Sequence, residues 1–507
     1  MLIHSFTHII FTNHYMRRPK VMSINRQNNS KAELRKEVTL FRAVMFGIGG
    51  MIGAGIFALS GDIARDTGIY GAIVFGIASF LALSSGLVYA EYSTLVVSAG
   101  GGYSYVRAVF PDILGFLAGW WFFLAYSIAA TFYVTVFGIY VEIFLGIPFL
   151  IPALATVIIF ALINFIGIKE SSIAEILLVV FKLSVLGVFI FLSLIRTGFL
   201  EQAFDAELNI IEILIKSATI LIAFEGFDII ATLSQEMLNP TKDAPRSIII
   251  SIVTVSMLYV LVIFAILNVI PYKSFPPGNT EEIILTAAAE SFGRIGYLVI
   301  LSAALISTLS AANAALIAVS RVGYAMGTDH ILPRQFRLLH PKTNTPYASI
   351  FMGSLLILIV LFFMTLFVPK REMSIALAGL ASLAFSSSFA LVDFSIIIHR
   401  NLFPTVKRGF KVPLYPLIPI IGMVSAIYVA ILTALENLGT FYLFIILTGL
   451  GIAYYALICR EVRTLEKLRM VLLSDFIRAK AALGLGKVLV ILMKRRPRRA
   501  RRKTKRA

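Results

Sequence analysis

Stretches of about 20 apolar residues recur along nearly the whole of the 507-residue chain. They fall near 41–60, 70–97, 113–141, 148–167, 173–195, 211–235, 247–270, 296–320, 347–368, 374–398, 414–435 and 439–459. At a rise of about 1.5 Å per residue, a helix of that length crosses the ~30 Å hydrocarbon core of a bilayer. Hydrocarbon offers no partners to backbone N–H and C=O groups, so the helix, which satisfies its own, is the spanning form. The pattern predicts an all-α polytopic membrane protein of about twelve transmembrane helices. Charged residues make up 14% of the chain and mean hydropathy is +0.90, whereas soluble domains carry about 25% charged residues. Soluble enzymes and nucleic-acid-binding proteins are excluded, although the net charge is +18. The single cysteine, Cys459, rules out an intrachain disulfide.

The positive charge is localised and sets the expected topology. Arg107, Lys169, Arg246, Arg321, Arg400, Lys407 and Arg408 fall in loops or span ends on the side of the N-terminus; fewer, such as Arg65, Lys273 and Arg294, fall opposite. Both termini are therefore expected in the cytoplasm, with the protein in the plasma membrane. The segment 1–40 reads as cytoplasmic, its apolar piece near Phe11 being broken by His8, Asn13 and His14; Met16 and Met22 are alternative starts. The tail, 461–507, ends in a dense Arg/Lys run. It reads as a topology anchor that touches anionic lipid, at about 1 kcal/mol per basic residue near the surface. No nucleic-acid partner is expected.

Two spans carry features that a simple membrane helix would avoid. The first contains Gly47, Gly49, Gly50, Gly53 and Gly55, and each glycine costs a helix interior about 1 kcal/mol relative to alanine. Such a span is expected to open, unless its glycines serve only close helix packing. An opened span exposes backbone groups that must line a cavity, and its half-helix ends suit a zwitterion such as an amino acid. The sixth span places Glu225, Gly226 and Asp228 near its centre, and carboxylates at that depth belong to cavities or pathways. Interruptions five spans apart are the mark of an inverted repeat whose broken helices meet at mid-membrane. The expected organisation is a ten-helix transport core over 41–400, with repeats at about 41–195 and 211–398, and peripheral helices over 401–460. Lys182 lies about 15 Å beyond the break at Lys169–Ser172, too deep for its stem to reach the surface. It reads as a buried amine that gains and loses a proton.

Several motifs carry a resemblance. Ala223-Phe224-Glu225-Gly226-Phe227-Asp228, followed by Glu236, Asn239-Pro240, Lys242-Asp243 and Pro245, resembles the sixth-helix signature of the amino acid–polyamine–organocation (APC) transporters, in the branch that includes cationic amino acid transporters. Gly47 to Gly61 is similar to that family's first-helix motif, and Gly100-Gly101-Gly102-Tyr103-Ser104-Tyr105 to the start of its third helix. The loop from Asp329 to Pro346 and the segment Phe410 to Pro416 match as well, so the resemblance spans roughly 35 to 460.

The resemblance implies that main-chain N–H groups of Gly53, Ala54 and Gly55 bind a substrate carboxylate. It implies that carbonyls at Ile52, Ile222, Ala223 and Glu225 receive the ammonium. Lys182 is similar to the fifth-helix lysine of proton-coupled, sodium-independent members, bridging the first helix to hydroxyls on the eighth, with Ser307 and Thr308 as candidates. Asp228 and Asp112 are candidate proton relays. Glu236 reads as part of an inside gate, but Gln235 stands where the family often has a second acid.

The expected function is secondary active amino acid transport by proton-coupled, sodium-independent symport. Alternatives are an amino acid exchanger, a cationic amino acid or polyamine carrier, and a transport-inactive nutrient sensor. Expected partners are the amino acid, protons and membrane lipids. No metal or cofactor is expected, and no phosphate-binding loop indicates ATP drive.

Overall fold

The structure is a computed structural model that describes residues 34–110, 112–195, 204, 206–270, 283–436 and 438–459. The N-terminal segment up to residue 33 and the expected lipid-touching tail at 461–507 lie outside the described residues. Nine helical stretches are long and apolar enough to cross a membrane among the described residues, and shorter apolar helices occupy Leu40–Met51 and Leu150–Ile166. Large apolar side chains face outward, with Phe191 63% and Leu450 59% exposed, while Lys182, Glu175 and Arg321 are fully buried. A surface of that kind suits lipid rather than water. The chain is an all-α, multi-span membrane protein.

The first span is two helices, α1 (Leu40–Met51) and α2 (Ala54–Thr67), separated at Ile52–Gly53. Thr39 caps α1 by accepting from the Arg42 amide. The opening is narrower than the glycine run predicts, because α1 stays helical through Gly47, Gly49 and Gly50. These glycines serve packing: a Cβ on Gly47 would lie 2.5 Å from Ile230 Cδ1, and one on Gly50 2.9 Å from Ile229 Cδ1. Then come α3 (Gly71–Leu95), the short α4 (Gly102–Arg107), α5 (Asp112–Leu145), α6 (Leu150–Ile166) and α7 (Ile168–Ile195).

The sixth span is also interrupted. Helix α8 (Ile210–Ile220) tightens into a 3₁₀ turn over Leu221–Phe224, and α9 (Ile229–Thr232) resumes beyond Gly226. Gly226 sits at φ +121°, a conformation open to glycine and rare for other residues. It also lets two backbones touch, since a Cβ there would lie 2.6 Å from the Gly50 carbonyl carbon and 2.8 Å from Met51 N. The two interruptions therefore face each other directly.

Helices α10 (Pro240–Val269), α11 (Ile283–Thr328), α12 (Tyr347–Phe367), α13 (Lys370–Leu402), α14 (Leu417–Glu436) and α15 (Leu438–Tyr454) complete the bundle. Pro240 opens α10, where its missing N–H costs nothing, and α11 kinks at Gly293. Helix α3 packs on α10, α11 on α5 and α7, and α13 on α5 and α14. Trp120 and Trp121 donate to Leu447 O and Thr448 Oγ1, both at 3.0 Å. These tryptophans dock α15 on α5.

Candidate functional site

The two interruptions are tied by one side chain. Tyr259 Oη, on α10, lies 2.9 Å from Met51 O and 2.9 Å from Ala223 O. Its single proton is shared between one carbonyl of each broken span, so their loosened main chains are held in register.

Lys182 projects from α7 to the first interruption. Its Nζ donates to Gly49 O at 3.1 Å, Ile52 O at 2.6 Å and Ser310 Oγ at 2.9 Å. An ammonium has three protons, and three acceptors meet them. The α11 hydroxyl it finds is that of Ser310, which corrects the expectation of Ser307 or Thr308. Thr308 donates instead to Leu305 O in its own helix at 2.7 Å, and the buried Ser307 hydroxyl has no hydrogen-bond partner. Both follow from helix rotation: Ser310 is the hydroxyl of that run on the α7-facing side.

A residue that the sequence reading passed over sits beside them. Glu175, fully buried on α7, accepts from Ser310 Oγ at 2.7 Å and from Asn313 Nδ2 at 2.9 Å. Asn164, on α6, donates to Asn313 Oδ1 at 3.1 Å and to Phe160 O at 2.8 Å, which turns the Asn313 amide toward the carboxylate. Gly49 makes room, because a Cβ there would lie 1.8 Å from Glu175 Oε1. The signal was present in the sequence: seven residues separate Glu175 from Lys182, which puts both on one helix face.

The remaining predicted positions divide into two groups. Gly53 and Gly55 lie at the α1–α2 junction, closed in by Tyr133 and Ala311 on one side and Ala223 on the other. Ala54 begins α2 and Ile222 lies in the 3₁₀ turn; their side chains are outside the described set. The Ile52 and Ala223 carbonyls are engaged by Lys182 and Tyr259, and each keeps a second lone pair. Glu225 follows the 3₁₀ turn, within the second interruption. It borders a small cavity of about 20 Å³, together with Ser85, Phe224, Ser386, Phe389 and Ser425. Ser425 belongs to α14, so a helix expected at the periphery reaches this cavity. Asp228 accepts a hydrogen bond from Tyr126 and keeps its other oxygen unpaired. No described contact joins it to Lys182. Asp112 starts α5, with its side chain outside the described set.

The end of the bundle at which α1 begins holds a buried ion pair and a more exposed one. Arg321 forks onto Glu236, Nε to Oε1 at 2.7 Å and Nη2 to Oε2 at 3.2 Å. The amides of Glu37 and Val38 both donate to Glu236 O at 2.9 Å. The partner of Glu236 is thus an arginine on α11. Nearby, Arg107 and Tyr103 both reach Asp329 Oδ2 at 2.8 Å. Burial, with the Asp329 charge second, pushes the Tyr103 phenol well above its ordinary range, so it remains a donor.

Comparisons with known proteins fit this geometry. The profile described as amino acid permease matches residues 38–455. Among similar proteins, the branched-chain amino acid permease BcaP of Bacillus subtilis is 27% identical over 88% of this chain and 97% of its own length. The serine/threonine exchanger SteT of the same organism is 28% identical over 78% of this chain and 90% of its own. The low-affinity putrescine importer PlaP of Escherichia coli is 25% identical over 86% of this chain and 96% of its own. With two interrupted spans in main-chain contact and a profile match over most of its length, the chain belongs to the amino acid permease family of the APC superfamily.

Proposed function

We propose that the protein is a secondary active amino acid transporter that couples uptake to protons without sodium. The observation that carries this reading is the seat of Lys182, whose ammonium fills a three-oxygen site at the first interruption. The ammonium joins α1 to α11, and a side chain that can lose its proton makes that hold depend on proton supply. The substrate carboxylate takes the main-chain amides of Gly53, Ala54 and Gly55, and its ammonium the free lone pairs of Ile52 and Ala223 together with the Ile222 and Glu225 carbonyls. Alternating access moves the two interrupted spans against the rest of a core comprising 41–400. Both termini face the cytoplasm, in the plasma membrane, and no covalent chemistry takes place.

The cavity beside Glu225 is mostly apolar, with lining residues such as Leu81, Leu221 and Phe224. A neutral rather than purely cationic amino acid range is in line with the branched-chain permease among the relatives. Exchange is the second reading, favoured by the similarity to an exchanger. Uptake of radiolabelled amino acids into empty proteoliposomes, with and without sodium, separates the two. Acceleration by an imposed acid-outside gradient, unaffected by sodium, is expected. Uptake that needs preloaded amino acid and ignores the gradient supports exchange. Lys182→Ala removes the charge from the three-oxygen site and is expected to abolish the response to the gradient; a variant that still responds as wild type does removes Lys182 from the coupling.

A further inference from the structure

We infer that Glu175 is the proton acceptor of Lys182, joined to it through the hydroxyl of Ser310. The inference rests on the proton-coupled reading above. Ser310 Oγ stands 2.9 Å from the ammonium and 2.7 Å from Glu175 Oε1. One hydroxyl carries one proton and two acceptor sites, so Ser310 accepts from Lys182 while it donates to Glu175.

Transfer along this line balances. Lys182 passes a proton to Ser310 Oγ as Ser310 passes its own to Glu175 Oε1. An ammonium and a carboxylate become an amine and a carboxylic acid, the hydroxyl is regenerated, and the net charge of the pair is unchanged. A buried site of low polarity tolerates such an exchange where it would resist a lone charge. The effect on the first interruption is direct. The neutral amine keeps its two remaining protons on Gly49 O and Ile52 O and accepts from Ser310 Oγ, but without its charge those bonds weaken, so the hold on the two carbonyls slackens.

The surroundings single out this pair. Helix α1 brings to Glu175 only the Gly49 backbone; its one charged residue is Arg42, at the far end. Helix α6 contains no charged residue and presents Asn164. Helix α11 presents Ser310 and Asn313, its nearest charge being Arg321, which is engaged with Glu236. On α10, the charges Lys242, Asp243 and Arg246 lie in the first two turns. On α7 itself, Lys169 and Glu170 begin the helix. Among the described residues, Lys182 is the charged group whose field reaches Glu175.

Position gives the transfer a direction. Glu175 lies seven residues nearer the start of α7 than Lys182, about 10 Å along the axis. By the topology proposed above, that is toward the cytoplasm. Lys182 then receives the proton from the substrate side and Glu175 releases it inward.

The test uses the full chain in proteoliposomes with trapped pyranine, exposed to a mixture of the common amino acids, part of it ¹⁴C-labelled. Proton entry and amino acid entry are measured together. For Glu175→Gln the ratio of protons to amino acid is expected to fall about tenfold or more, and the dependence of uptake on pH to flatten. Glu175→Asp should recover part of both. Ser310→Ala, which interrupts the path and keeps both charged groups, should show the same loss and carries the test if the glutamine variant does not fold. A coupled wild type alongside Glu175→Gln or Ser310→Ala proteins with its ratio and pH profile overturns the inference alone. A wild type that takes up amino acid with no proton entry overturns both the inference and the coupled reading.

Discussion

Gly226 resists substitution on two counts, its backbone conformation and its close backbone neighbour. Its φ of +121° is unfavourable for any residue with a Cβ, and the missing atom would lie 2.6 Å from the Gly50 backbone. Backbone cannot swing aside as a side chain can. Gly226→Ala is therefore expected to separate the two interrupted spans and destabilise the protein by about 1–3 kcal/mol. Thermal unfolding in detergent reads this, and an unshifted midpoint together with full uptake would show that the contact is dispensable. At this scale the sequence is uneven. The glycine was legible as a breaker, and Lys182 as too deep for a bystander. Ser310 was not separable from Ser307 and Thr308, because three hydroxyls within one turn point in different directions and only packing shows which meets α7. Glu175 escaped because it lies close enough to a span end to pass for an interfacial acid.

The elements follow from hydropathy where they are continuous and from packing where they are not. Helix α10 was readable from its apolar run at 247–270, although it begins about two turns earlier, at Pro240. That Tyr259 within it clamps both interruptions was not, because nothing local distinguishes it from a buried aromatic residue. Its hydroxyl serves two carbonyls freed by helix breaks, and such groups have no helical partner to return to. Tyr259→Phe keeps the ring packed against Phe75 and Phe224 and deletes only the oxygen. The cost is expected at about 1–3 kcal/mol, with faster amide hydrogen exchange confined to residues around 51–55 and 221–226. Exchange unchanged in both segments would show that the clamp does not hold them. The first opening, at Ile52–Gly53, takes up only part of the glycine run. A glycine run marks where a helix is allowed to open, whereas neighbours such as Ile229 and Ile230 decide where it stays closed.

For the whole molecule to expose its centre to alternate sides, the closure at the end where α1 begins must come apart and reform. Its innermost bolt is Arg321–Glu236, both partners almost without exposure, and the same glutamate's carbonyl carries the amides of Glu37 and Val38. Deleting the arginine strands a buried carboxylate, which costs about 3–5 kcal/mol in comparable pairs. That cost falls on the closed arrangement, where Glu236 is dry, and is relieved when the end opens and water reaches it. Arg321→Ala should therefore shift the population toward the open form rather than unfold the bundle. The lone native cysteine makes this measurable. In a Cys459→Ser background, Ser234→Cys places a thiol at a fully buried position two residues from Glu236. Maleimide labelling of that thiol in permeabilised proteoliposomes should quicken about tenfold or more when Arg321→Ala is added, since each ~1.4 kcal/mol of population shift is a factor of ten. Exposure at Ser234 is the specific readout, because general loosening would equally speed labelling at Ser354→Cys on α12, where no rise is expected. Equal rates at Ser234 with and without Arg321 would mean that the pair is not what keeps this end closed, and Arg107–Asp329 would be the next bolt to remove.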